Sequence, residues 1–432
     1  QKDFEGSDLI VADGQTVTYG SPTLRFTHRT ARVTIVLTDY TEGLASVRLT
    51  GLSTENGNPD KITPYGKGSN TYTAIVAPQS VAAGTAFITC TFTNGKTFVY
   101  KMKNATDWQA GGEYTYTVSL ATARGYIIED DGSYTVYNAD GLMNIAELVN
   151  GGKTDINITL DKNIDLTGKA WTPIGTDYDN SYKGTFDGGG HTITGLTFTT
   201  NDEFAGLFGW LNRAGTVKNV VMEGVQITSN QIYGGSIGGV VGSSWGTIEN
   251  CSVSGNVSGT VYVGGVVGVQ IGGSITGCSS SATVKGTVDV GGVAGQTNSS
   301  ATLTACYATG NVIIEINPKK NIAGGSLVGM NAGISLLACY ATGNVTSTGS
   351  STGKVHIGGF LGNNYTTVTA CYWKNNHEQG IGYNRESTGA TKVDGSVVTW
   401  QKAVDAMNTA LQNAGSEWRY ELNGALPTLR KQ

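Results

Sequence analysis

Charge is scarce in this chain. Asp, Glu, Lys and Arg make up 14% of its 432 residues, against roughly 25% in an ordinary soluble protein. The formal net charge is −5, and the text holds no basic patch of the kind that neutralises phosphates, which excludes a nucleic-acid partner. Proline is also sparse, with 7 residues, while 39% of the chain is apolar. That combination excludes a Pro-rich linker or a disordered chain. Cys-x-x-Cys pairs are missing, and His28, His191, His356 and His377 are scattered, so no metal or redox motif is spelled and no cofactor is expected. No apolar stretch approaches the roughly 20 residues that span a bilayer as a helix. The chain opens on Gln1, which predicts a processed or truncated product whose leader or lipid anchor is already gone.

Glycine is abundant instead, at 63 residues, and part of it is periodic. Gly206-Leu207-Phe208-Gly209 returns as Gly239-Val240-Val241-Gly242, Gly265-Val266-Val267-Gly268, Gly292-Val293-Ala294-Gly295, Ser326-Leu327-Val328-Gly329 and Gly359-Phe360-Leu361-Gly362. The closing glycines are 33, 26, 27, 34 and 33 residues apart. Cys251, Cys278, Cys306, Cys339 and Cys371 keep step with them, at spacings of 27, 28, 33 and 32. Two landmarks in phase define a repeat. Runs between them, such as Ile248-Glu249-Asn250-Cys251-Ser252-Val253, alternate in the manner of strands. A unit of three short strands buries its apolar face only by stacking on its neighbours, which predicts a parallel β-helix with glycine at the corners.

An open solenoid end needs a cover. Asn138–Val149 reads as a short amphipathic helix with Asn138 or Asp140 as N-cap, and Thr399–Leu411 as the clearest helix in the chain, with Gly415 beyond it. Residues 1–120 lack the landmarks and carry alternating runs at the spacing of an antiparallel β-sandwich, for example Ala31-Arg32-Val33-Thr34-Ile35-Val36-Leu37. The fold class is therefore all-β. The expected domains are a sandwich over 1–121, a β-helix over 133–398 with a cap helix near 138–150, and a capping helix and tail over 399–432. Ala121-Thr122-Ala123-Arg124-Gly125 reads as the linker.

The Gly-x-Val-x-Gly units resemble the GLUG-motif repeats of bacterial surface proteins, and Lys183-Gly184-Thr185-Phe186-Asp187-Gly188-Gly189-Gly190-His191-Thr192-Ile193 is similar to their first coil. Asp8-Leu9-Ile10-Val11-Ala12, Leu24-Arg25-Phe26-Thr27-His28 and Trp108-Gln109-Ala110-Gly111-Gly112-Glu113-Tyr114-Thr115-Tyr116 resemble the fimbrillin-like proteins of Gram-negative anaerobes. In that family the first motif lies well inside the domain, so the resemblance implies a sandwich lacking N-terminal strands. It also implies a surface lipoprotein or pilus-associated subunit working in adhesion. The expected location is the cell surface, outer membrane or fimbrium of a Gram-negative bacterium, with membrane contact only through a lost lipid anchor.

Candidate chemistry is thin. The cysteines read as inward core fillers, although disulfide pairing between adjacent coils stays open. Asp161-Lys162-Asn163-Ile164-Asp165 opens like a calcium loop, but Leu166 and Thr172 stand where that loop needs glycine and glutamate. Gly234-Gly235-Ser236-Ile237-Gly238 spells a nucleophile elbow outside the strand–helix turn that gives the motif meaning. A glycosidase needs two facing carboxylates, yet Gly234–Ile316 holds four charged residues in all, Glu249, Lys285, Asp289 and Glu315. Catalysis would have to sit in the first coils, around Asp161–His191, so no catalytic and no metal residues are assigned and the chain is read as a non-enzyme.

Aromatics are better placed for binding. Trp210, Tyr233, Trp245 and Tyr262 flank the landmarks and are the candidate ligand contacts, Trp245 because Ser243-Ser244 before it reads as a polar loop. Tyr178, Tyr182, Trp373 and Tyr383 also lie in loop-like text. Such rings can stack on sugars or anchor a protein partner. The expected function is an adhesin that presents a β-solenoid to host or microbial glycan or protein ligands, with other pilus subunits as further partners. The alternatives are a polysaccharide-degrading β-helix enzyme and a non-binding spacer or pilus subunit.

Overall fold

A computed structural model describes residues 8–20, 23–39, 43–56, 58–93, 97–120, 125–231, 234–333, 335–386 and 389–432. The chain divides into two compact units, Gln1–Arg124 and Gly125–Gln432. Of the expected linker 121–125, residues 121–124 lie outside the described residues.

The first unit is built on Ala31–Thr38, whose alternation puts Ala31, Val33, Ile35 and Leu37 in the core. This strand is central in a four-stranded sheet with Tyr65–Gly68, Thr71–Val76 and Glu113–Ser119. A three-stranded antiparallel sheet of Leu44–Leu49, Ala86–Phe92 and Thr97–Lys101 contributes Val47, Leu49, Ile88 and Phe92 to the same core. One pairing departs from the antiparallel expectation: Glu113–Ser119 lies parallel to Ala31–Thr38, from Glu113↔Arg32 to Ser119↔Thr38. Cys90 is fully buried there, and burial pushes its thiol up to about 11.

The second unit is a parallel β-helix of three long sheets with fifteen, thirteen and six strands. It starts at Gly125, ahead of the expected residue 133, because Tyr126–Ile128 and Tyr134–Val136 pair with each other and the latter joins the first coil strand. Helix α1 (Ala139–Asn150) follows, and Asn138 is its N-cap, accepting from the Gly141 N–H at 2.9 Å. Its buried face of Leu142, Ile145, Ala146 and Val149 packs into the solenoid core.

Each coil stacks like on like. Ile237, Val263 and Val290 form one inward column, and Val217, Ile248, Ile275, Leu303 and Leu336 another. The cysteines form a third. All six cysteines are free and buried, and the Cys251, Cys306 and Cys339 N–H groups each donate to the next coil's sulfur at 3.4 Å. Burial holds the Cys251, Cys306 and Cys339 thiols well above the ordinary range, so they remain neutral.

The landmark glycines serve a different need from the expected corner φ. Gly242, Gly268, Gly295, Gly329 and Gly362 all keep ordinary φ. They are glycine because the neighbouring backbone leaves no room for a Cβ. The left-handed corner lies instead one residue before the cysteine column, at Asn219, Asn250, Gly277, Ala305, Ala338 and Ala370, with φ between 48° and 66°.

Helix α2 (Trp400–Asn413) is capped by the Thr399 side chain, which accepts from the Lys402 N–H. It lies on the flank of the solenoid, over that left-handed corner, where end-capping was expected. Trp400, Ala403, Val404, Met407 and Leu411 pack with Ala305, Ala338 and Tyr340. The strand Trp418–Glu421 adds a hydrogen bond from Tyr420 Oη to the Ala338 carbonyl, and Lys431 reaches Glu249 at 2.8 Å. The tail thus ties several coils together laterally.

Candidate ligand-binding groove

The six-stranded sheet positions the site. Its strands Phe204–Ala205, Ser236–Gly238, Tyr262–Gly264, Asp289–Gly291, Ile322–Gly325 and Val355–Gly358 pair in register. Since Ile237, Val263 and Val290 point into the core, alternation turns the column Phe204, Ser236, Tyr262, Asp289, Ala323 and His356 outward. After the landmark turn the chain runs into a second strand of the fifteen-stranded sheet. There Trp210, Ser243, Val269, Gln296, Met330, Asn363 and Tyr383 form a matching outward column.

The two columns face one another across the corner. Phe204 meets Trp210 edge-on with ring centroids 4.5 Å apart, and His356 Nδ1 lies 2.5 Å from Asn363 Oδ1 while its ring stacks on Tyr383 at 5.0 Å. Between these ends the outward residues of the two columns line a strip along the solenoid corner, the candidate groove. Its floor is deep: Ser236, Ser243, Val269, Asp289 and Ala323 are all buried. Gly242 and Gly295 make that depth possible, because a Cβ on either would come within 3 Å of the Ser236 or the Asp289 carbonyl.

Of the expected contact residues, Trp210 stands in one wall and Tyr262 in the other. Trp245 projects from the same outward face as Ser243, half-buried against Gly272 of the next coil. Ser243-Ser244 before it is the end of the strand Val241–Ser244, where a loop was expected. Tyr233 lies outside the described residues. Tyr178 is exposed and packs edge-on against Trp210, and Tyr383 closes the far end of the groove. Tyr182 and Trp373 are core residues; the Tyr182 hydroxyl donates to the Ile156 carbonyl.

Two features had no signal in the text. Behind the groove wall runs an inward polar ladder of Ser244, Gln270, Thr297, Asn331 and Asn364, all buried. Thr297 Oγ1 donates to Asn331 Oδ1 at 2.8 Å, and Asn331 Nδ2 to Asn364 Oδ1 at 2.7 Å, which pairs these three side chains inside the core, while the Gln270 Nε2 donates to the Gly246 carbonyl. The second feature is Asp289, a carboxylate at the groove floor. Desolvation pushes its carboxyl up to about 7 and also raises the hydroxyl of Tyr262, the neighbouring residue in register.

The other charges lie elsewhere. Lys285 pairs with Glu315 at 2.7 Å, and Glu249 with Lys431. In the first coils Asp187 is held by Lys218, Asn219 and the Gly189 N–H, while His191 turns to Asn163. Asp177 accepts from Thr176 and Asn180 within its own turn. Among the described residues no group of three or more His, Cys, Asp or Glu is placed to hold a metal ion.

Residues 1–136 match the family model described as fimbrillin-like, and residues 233–258 and 259–285 match the GLUG motif. The chain thus joins a segment that matches the fimbrillin-like model to segments that match the GLUG motif. The second GLUG unit carries the groove residue Tyr262, and the first carries Ser236 and Ser243. A 209-residue stretch is 31% identical to halomucin of Haloquadratum walsbyi, covering 43% of this chain and 2% of halomucin. A 129-residue stretch is 33% identical to a protein of Evansella cellulosilytica named as a candidate Gly-rich membrane protein, covering 28% of this chain and 14% of that one. The chain therefore spans a small fraction of both relatives. A crystal structure of a candidate immunoglobulin A1 protease from Bacteroides ovatus is similar, with a TM-score of 0.51 at 18% identity, over 70% of this chain and 93% of that one. That likeness shows the fold alone. The fimbrillin-like and GLUG matches point to a surface- or pilus-associated protein built on a β-helix.

Proposed function

We propose that this protein is a surface adhesin whose GLUG solenoid binds an extended ligand, a glycan or a protein segment, along the corner groove, and that it acts by binding and not by catalysis. The observation that carries the reading is the pairing of two outward columns into one groove with aromatic ends. Phe204, Trp210 and Tyr178 cluster at one end, and His356, Tyr383 and Tyr365 at the other. Aromatic rings at both ends with serine, glutamine and asparagine between them suit a long polar ligand better than a compact one. The relatives support a surface setting, since one is halomucin and another is named a membrane protein. Anchorage in a Gram-negative outer membrane or fimbrium, through a lipid or through other pilus subunits, is part of the same proposal.

An array of glycans and matrix proteins probed with the intact chain tests it. At least one ligand is expected to bind, and Trp210→Ala or Tyr262→Ala is expected to weaken it roughly tenfold or more, as loss of an aromatic anchor does. Val397→Ala, on an exposed side chain away from the groove, leaves binding unchanged. Absence of any binding favours the spacer reading, and turnover of a polysaccharide on the array favours the enzyme.

A further inference from the structure

The floor of the groove carries a charge that nothing described in the protein answers. Asp289 is 6% exposed. Val290 after it points into the core, so its own side chain faces the groove. Tyr262 lies in register on one side and Ala323 on the other. Across the corner, Gln296 stands to Asp289 as Asn363 stands to His356, with Val269 and Met330 on either side of it. No described residue donates a hydrogen bond to the carboxylate or pairs a cation with it. Burying such a group without a partner is costly, and the column would stack as well with serine, as at Ser236, or alanine, as at Ala323.

We propose that Asp289, with Tyr262 beside it and Gln296 opposite, forms a subsite for the vicinal hydroxyls of one neutral sugar unit in an extended glycan. This rests on the groove reading above and names the ligand class. A carboxylate accepts two O–H donors at once, which a diol supplies. The Tyr262 ring offers a face to the apolar side of a pyranose. The Gln296 Nε2 donates to Asn298 Oδ1 at 3.2 Å, which leaves its carbonyl oxygen as an acceptor for a further sugar hydroxyl. A Lys- or Arg-bearing peptide fits less well. It would meet one acid among Val269, Ala323 and Met330, with no second carboxylate in either wall to guide a basic chain. Adjacent coils lie about 4.8 Å apart, close to the length of one hexose along an extended chain, so successive sugars would meet successive coils.

The test is a calorimetric titration of the full chain with neutral hexo-oligosaccharides and, separately, with a lysine-rich peptide of matched length. Asp289→Asn and Tyr262→Ala are carried alongside the parent, with thermal unfolding to show that each folds. The expected result is oligosaccharide binding that Asp289→Asn weakens roughly 10- to 100-fold, the scale of losing charge-assisted hydrogen bonds, and no binding of the peptide. Oligosaccharide binding untouched by Asp289→Asn but lost in Tyr262→Ala overturns the Asp289 subsite and leaves the groove standing. Peptide binding that Asp289→Asn abolishes overturns the sugar assignment. Binding of neither probe overturns the subsite, and the groove reading falls with it if the array is also blank.

Discussion

Asp289→Asn should make the solenoid more stable at pH 8, and the gain should fade as the pH is lowered towards 4. Burial raises the Asp289 carboxyl from an ordinary 3.8 to about 7 in the folded protein. Between those values the folded state holds a proton that the unfolded state has released, so stability falls as the pH climbs through this window. Above pH 7 the folded protein carries an ionised carboxylate without a partner, at a cost of up to about 4 kcal/mol. Asparagine removes the charge but still buries an amide, so a gain of roughly 1–3 kcal/mol at pH 8 is expected. Tyr262, the titratable neighbour in register, keeps its proton throughout, since burial and Asp289 both raise it. Ala323, Gln296, Val269 and Met330 do not titrate. Denaturation curves of parent and variant at pH 4, 6 and 8 read the effect directly. A variant no more stable than its parent at pH 8 would mean that the carboxylate already has a partner. A residue that weakens the fold and lines a groove is the pattern of a binding position held at the expense of stability.

Gly295→Ala is expected to be strongly destabilising although it adds a single methyl group. A Cβ there would lie 2.5 Å from the Val263 nitrogen, 2.8 Å from the Gly268 carbonyl and 2.9 Å from the Asp289 carbonyl. Every one of these is backbone, fixed by the ladders of two coils, so no side chain can move aside. Overpacking of this kind costs roughly 3 kcal/mol or more. Because the clash pries apart neighbouring coils, it should also open the groove floor and abolish ligand binding. Gly424→Ala, where a Cβ meets nothing within 4 Å and φ is ordinary, is the control and should be silent. Thermal unfolding of the two variants separates them. An unchanged midpoint for Gly295→Ala would show that the coils are packed more loosely than described.

The solenoid was legible because its signals are local and repeated. Gly239-Val240-Val241-Gly242 and Cys251 recur in text, and stacking converts recurrence in sequence into columns in space. The cysteines read correctly as core fillers for the same reason: each falls between alternating apolar residues. The physical role of the landmark glycines did not show, since close approach and positive φ leave the same letter. Only the folded chain separates Gly295, crowded by backbone, from Gly277, which has a φ of 66° and lies under Trp418.

The proposed groove was half legible. Trp210 and Tyr262 were singled out for lying beside the turns, and those turns are what folds the two columns together. Asp289 was noted only as one of few charges. Its environment depends on Tyr262, Ala323 and Gln296, which lie 27, 34 and 7 residues away, and no local pattern states that register. Tyr182 and Trp373 show the converse error. Polar neighbours in sequence read as loops, while stacking carried both rings into the core. The tail helix failed similarly: its amphipathic pattern shows that Trp400, Val404 and Met407 are covered, but the surface they cover, Ala305 and Ala338, is set by a left-handed corner that alanine does not advertise.

Hydroxyl-radical footprinting of the intact chain, with and without the strongest ligand from the array, tests the groove most directly. Trp210, Tyr262, Met330 and Tyr383 are reactive side chains spread along its two walls. Protection confined to these, with Tyr307 and Tyr372 on the opposite flank unchanged, is the expected result. Protection on that flank or in the first unit, with Trp210 and Tyr262 as reactive as before, would contradict the groove as the place where this protein binds.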